Sequence, residues 1–188
     1  MNNGVAKHSA QQQALAQTAE WVQQVIVKYN ICPFARAEVE RQSIRYSVCS
    51  EQAMEHVLTA LLNEWQWLDA HPETETTLVI LDKGFAEFAE YLDLLDFANE
   101  LLVVEGYEGV YQIASFHPNY QFADSELDDA ANFTNRSPYP VLHILREASL
   151  EKALANYSDP ESIPERNIEF ARRKGAPFFA DILKKIKA

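Results

Sequence analysis

Thr76-Thr77-Leu78-Val79-Ile80-Leu81 is a short, apolar, β-branched run that reads as a strand. Gly84 then opens a helix whose inward face carries Phe85, Phe88, Leu92, Leu95, Asn99 and Leu102. Gly106 and Gly109 mark its exit turn, and residues 110–116 form the next strand. A strand, a helix and a strand in that order favour a right-handed parallel crossover. This unit places the chain among the α/β folds.

The flanking sequence extends the pattern. Residues 43–49 alternate, with Ile44, Tyr46 and Val48 on one side and Arg45 and Ser47 on the other, which predicts a strand. Residues 51–69 carry Met54, Leu58, Leu61, Trp65 and Leu68 on one helical stripe, and residues 9–29 carry Leu15, Ala19, Val22, Ile26 and Tyr29 on another. Asn30 suits a left-handed cap, and Pro33 prevents continuation. Ser125 is expected to cap a short helix, residues 141–145 to form a fourth strand, and Ser149 to start another helix. Ser162-Ile163-Pro164-Glu165 reads as a capping box for a helix ending at Gly175, and a last amphipathic helix carries Phe178, Phe179, Ile182, Leu183 and Ile186. The expected fold class is α/β: a single domain over residues 1–188, with a four-stranded, mostly parallel or mixed sheet, packed helices and a helical C-terminus. Residues 1–8 are expected to be disordered.

Composition narrows the partners. The net charge of −12 is concentrated in residues 51–130, which hold 18 acidic residues against Lys83 alone. That belt argues against nucleic acid, which needs a basic face, and against anionic membrane surfaces. No apolar run approaches membrane-spanning length, and the first nineteen residues are polar, so a cytoplasmic location is expected. Cys32 and Cys49 show no metal-type spacing. No glycine-rich phosphate motif is present to support nucleotide binding, and the cofactor and the oligomeric state are left open.

The candidate site lies in residues 116–146. Phe116-His117-Pro118-Asn119-Tyr120 leads through Asn132-Phe133-Thr134-Asn135-Arg136-Ser137-Pro138-Tyr139-Pro140 to His143 and Arg146. Prolines restrict the backbone here, so the polar side chains are expected to be held in place. His117, at a strand end, is the candidate general acid or base; the alternative is a loop histidine bonded to backbone. Arg136 offers a planar fork for a carboxylate or phosphate, with Asn132, Asn135 and Ser137 to orient it and His143, Arg146 and Arg166 as further substrate-binding candidates. Asn167 is expected to brace the Arg136 loop. Cys32, after a helix carboxyl end, reads as an inert thiol.

Five blocks in this chain resemble those of a bacterial family known as domain of unknown function 1415. They are Asn30-Ile31-Cys32-Pro33-Phe34-Ala35, residues 114–122, residues 132–140, His143-Ile144-Leu145-Arg146-Glu147, and Ile163-Pro164-Glu165-Arg166-Asn167. The resemblance runs from about Trp21 to about Arg173. It implies a self-contained domain and assigns no activity. Three readings follow from the residues: an enzyme acting on a small anionic metabolite, with the reaction type open; a non-catalytic ligand- or protein-binding accessory module; and a metalloprotein using His117 and His143.

Overall fold

The computed structural model describes the backbone of residues 2–188 and the side chains of residues 8–188. Of residues 1–8, expected to be disordered, the first lies outside that description and the backbone of the others begins α1. The chain forms α1 (Asn2–Trp21), a π-helical turn (Val22–Val27), α2 (Ala35–Arg41), β1 (Ile44–Cys49), α3 (Met54–Ala70), β2 (Thr76–Leu81), α4 (Phe88–Val104), β3 (Tyr111–Phe116), a 3₁₀ turn (Ala130–Thr134), β4 (Val141–Arg146), α5 (Glu147–Ala155), a 3₁₀ turn (Pro160–Ser162), α6 (Ile163–Lys174) and α7 (Ala176–Ile186).

The sheet is four-stranded, in the order β1-β2-β4-β3. β1 and β2 are parallel, whereas β4 is antiparallel to both β2 and β3. The sheet is therefore mixed, and β1, β2 and β3 share one direction while β4 opposes them. β3 does not pair with β2, because β4 lies between them.

Alternation along the strands sorts the core into two layers. Val79, Leu81, Tyr111, Leu142 and Ile144 pack beneath α3 and α4, against Trp65, Leu68, Tyr91 and Leu94. Leu78, Ile80 and Val141 face the other way, toward Trp21, Val25 and Ile26 and toward Ile186 of α7. All six residues of β2 are buried, as a central strand covered by helices on both faces requires.

A polar tie joins β1 to α3. Glu64 is buried, and its carboxylate receives Arg45 Nε at 2.7 Å, Arg45 Nη2 at 3.2 Å and Ser47 Oγ at 2.7 Å. The Arg45 guanidinium also lies 4.1 Å from the centre of the Trp67 ring.

Several local expectations are corrected. The α4 helix begins at Phe88 rather than Gly84, and Phe85 is buried in a left-handed conformation with φ 52°. No helix forms at Ser125. The turn starts later, at Ala130, where the Asp129 carboxylate accepts from the Ala131 amide at 2.9 Å. Ser162 makes no capping bond to α6; its hydroxyl donates back to Asp159 O. The short helix α2 carries no strong periodic signal and was not anticipated.

Replacing Arg45 with Ala leaves the Glu64 carboxylate buried without its cation. The expected cost is about 2–3 kcal/mol, read by urea unfolding with an unchanged m-value. A loss below about 0.5 kcal/mol would place the pair among ordinary surface ion pairs.

Candidate functional site

Residues 117–140 leave β3 at Phe116 and return to β4 at Val141, two positions directly paired in the sheet. This excursion has no ladder to satisfy its backbone, so side chains do that work. The Asn132 side chain is fully buried and engaged at both ends. Its Oδ1 accepts from the Phe122 amide at 3.0 Å and from Ser125 Oγ at 2.7 Å. Its Nδ2 donates to Glu126 O at 2.8 Å. Asn135 Nδ2 donates to Ser115 O at 3.2 Å, and the buried Ser137 hydroxyl donates to Tyr139 O.

His117 is fully buried beneath α4, with its ring centre 5.2 Å from that of Phe88 and 5.1 Å from that of Tyr91. Its Nδ1 accepts from the Asn119 amide at 3.0 Å. Nε2 therefore carries the proton and donates to Phe85 O at 3.0 Å. Burial pulls the imidazole below its ordinary value, favouring this neutral form. Both ring nitrogens are occupied by backbone, so in this arrangement the ring holds the left-handed turn at Phe85 and offers no free nitrogen to a substrate.

His143 lies on the opposite face of the sheet. Thr76 Oγ1 donates to Ile144 O, so the 2.7 Å contact to His143 Nε2 is a bond from the imidazole to the hydroxyl. Burial lowers its value to about 4. Successive residues along β3 and β4 point to opposite faces, and the register sends His117 toward α4 and His143 toward the α1 layer. The sheet separates them, which corrects the reading of a metal shared between these histidines. Among the described residues, no group of three or more His, Cys, Asp or Glu is placed to hold a metal ion.

The three arginines are not brought together. Arg146, at the far end of β4, closes the carboxyl terminus of α3 by donating to Leu68 O at 2.6 Å and His71 O at 3.3 Å, with further bonds to Thr74 O and Tyr111 Oη. Arg166 donates to Asn30 O at 2.7 Å and Tyr157 Oη at 3.0 Å. Asn167 Nδ2 donates to Ile31 O at 2.7 Å, so this residue braces the Asn30–Ile31 turn rather than the Arg136 loop. Arg136 remains in the loop. Its Nε donates to Tyr120 O at 3.0 Å and its Nη2 to Leu127 O at 2.9 Å, with the guanidinium 4.5 Å from the Phe133 ring centre.

Cys32 sits beside Arg166, and burial nevertheless pushes its thiol up, which leaves it a poor nucleophile. A groove of about 470 Å³ runs between α1, the π-helical turn, α2 and the β1 edge. It is lined by Glu20, Gln23, Glu38, Gln42 and Tyr46 among others, contains none of the predicted residues and presents no basic group, so it does not suit an anion. Sequence reasoning also missed Asp82, whose two carboxylate oxygens are buried without a hydrogen-bond partner. A carboxylate directly after an apolar central strand was the available signal, since ligands in α/β sheets gather at strand carboxyl ends.

Residues 13–181 match the family model described as Protein of unknown function (DUF1415). No curated protein and no solved structure matches the chain. Among the described residues, no helix is long and apolar enough to cross a membrane.

The histidines make a pH prediction. The unfolded imidazole titrates near 6.5 and the folded His143 near 4, so the unfolded chain binds more protons between those values. Stability from this source is complete above about pH 6.5 and falls as the pH drops toward 4. His117, also lowered, adds in the same direction. His143→Gln should flatten the stability–pH curve over that window by about 2–3 kcal/mol relative to wild type, measured by urea unfolding at each pH. An unchanged slope would mean that the imidazole is hydrated in the folded state.

Proposed function

The chain belongs to the DUF1415 family, and we propose that it is an accessory module that binds a small anion, a phosphate or a carboxylate, through Arg136. One observation carries this reading. Arg136 is partly desolvated, and among the described residues no carboxylate lies within ion-pair distance of it. Burial alone lowers its value, with no anionic neighbour to offset the loss of water.

A guanidinium in that position gains from an external anion. Two carbonyls and the Phe133 ring hold it, so little rotamer freedom is lost on binding. Its Nη1 makes no hydrogen bond among the described residues, leaving one edge of the fork for a ligand. Asn132, Asn135 and Ser137 support the reading as positioning residues, because they fix the loop that carries Arg136. His117 supports it in the same way, through the turn at Phe85. Arg146 and Arg166 serve other parts of the fold. The geometry therefore favours binding over proton transfer at His117.

Thermal unfolding of the wild type and Arg136→Gln against inorganic phosphate and a panel of phosphorylated and carboxylated metabolites tests this. At about 100 times Kd, a ligand should stabilise the wild type by roughly 2.7 kcal/mol, and the increment should vanish in Arg136→Gln. The variant also loses two loop bonds, so its unliganded melting temperature falls, and the ligand increment is the deciding quantity. Equal increments in both proteins, or none in the wild type, would sink the reading.

A further inference from the structure

We infer that Asp82 anchors a second binding site, for a small organic cation bearing a primary amine, at the carboxyl ends of β1 and β2. Asp82 directly follows the last residue of β2, and its amide donates to Cys49 O, the last residue of β1, at 3.4 Å. Both carboxylate oxygens are buried and have no hydrogen-bond partner. Among the described residues, no lysine, arginine or histidine pairs with this carboxylate. A bare carboxylate removed from water is strongly unfavourable, and buried charges are ordinarily paired.

The neighbouring donors are directed elsewhere. The Tyr139 hydroxyl, close enough to feel the Asp82 charge, donates to Gln17 Oε1 at 2.7 Å. Gln11 Nε2 donates to Ser50 Oγ at 2.9 Å, beside Cys49. The protein thus leaves two acceptor oxygens without donors at the strand ends, where α/β sheets place ligands.

The adjacent backbone turns through the left-handed region, which costs nothing at a glycine and is unfavourable at Phe85. Gly84 has φ 71° and Phe85 φ 52°. A Cβ at Gly84 would stand 3.3 Å from the Gln52 Cα, so the β2–α4 turn lies tightly against the β1–α3 turn. His117 Nε2 holds the Phe85 carbonyl. Strained turns of this kind persist where surrounding structure enforces them, and they cluster at ligand sites. Lys83 and Gly84, the next two residues, are exposed.

The chemistry selects the ligand class. The missing partner must supply both positive charge and N–H donors, and an ammonium supplies one charge and three donors. A multidentate metal site is not built here, because no group of three candidate ligands exists among the described residues. Asp82 lies within the acidic stretch of residues 51–130, whose net negative charge favours a cationic ligand over an anionic one. This site is independent of Arg136, since its ligand has the opposite charge.

The test is calorimetric melting of the full chain with methylamine, ethanolamine, putrescine and spermidine at matched ionic strength, with KCl and MgCl2 as controls. An amine should raise the melting temperature by about 5–10 °C at roughly 100 times Kd. Asp82→Asn should abolish that shift while melting, without amine, at or above the wild-type temperature. Three results would overturn the site: no amine acting beyond KCl, a shift with MgCl2 alone, or an Asp82→Asn protein that melts lower without ligand, as a hydrated structural carboxylate requires. Should the variant not fold, amine titration of the wild type followed by amide NMR decides. Movement at Ser50, Asp82 and Lys83 supports the site, and movement confined to other residues refutes it.

Discussion

β4 is held between two strands that run against it, and the backbone ladder that joins β3 to the rest of the sheet runs through its six residues. Removing it would leave β3 with nothing to pair to and β2 paired on one edge only, with β1, since β2 and β3 do not reach each other. The chain must therefore carry residues 117–140 out from the end of β3 and bring them back to the point of departure. Closing such a loop costs entropy, and its backbone groups find no ladder partners. The loop docks on α6 and α7, where Phe133 stacks on Phe179 at 5.8 Å and Asp129 pairs with Arg172 at 2.7 Å. Its interior is held by side-chain bonds to backbone.

That constraint explains why the segment is so rich in histidine, asparagine, serine and proline. These residues resemble the parts of a reaction centre, and most of them do the work that ladder bonds do elsewhere. Asn132 alone satisfies two donors and a carbonyl across residues 122–126. His117 connects the loop to the turn after β2. A buried polar residue with all of its bonds made inside the protein supports structure, whereas one left without a partner calls for a ligand. The Thr18 and Thr77 hydroxyls and the Trp21 and Trp65 indole N–H groups are also buried without partners, but they are neutral; Arg136 and Asp82 differ in being charged groups, one without a counter-ion and the other without donors.

Much of the fold was legible in the sequence. The stretch Thr76–Leu81 is a strand with those bounds, and β1, β3 and β4 each lie within one residue of the expected span. Apolar periodicity located these elements but did not always give their buried face: in α4 Tyr91, Leu94, Ala98 and Leu102 are buried, while Leu92 and Asn99 of the expected stripe are exposed. Strand order was not legible, because β4 carries no local mark of being antiparallel or central. Without the register, the opposite facing of His117 and His143 could not be read either. Ser125 and Ser162 carry good capping chemistry, but Asn132 claims the first hydroxyl and Asp159 O the second. For the site, the residues singled out were the ones with conspicuous chemistry. Asp82 follows an apolar strand directly, but a single carboxylate within an acidic stretch does not stand out from the solvated ones around it.

The inserted position of β4 also bears on how the chain is made. During synthesis β1, α3, β2, α4 and β3 leave the ribosome before any of β4 does. Until Arg146 has emerged, β1 and β2 pair with an open edge where β4 belongs, and β3 has no partner at all. Both strands then present unpaired backbone groups, and β2 is apolar on both faces. The nascent protein thus passes through a stage with two sticky strands waiting for the same missing one. The long loop that the finished fold braces so carefully is also the interval of translation during which that exposure lasts.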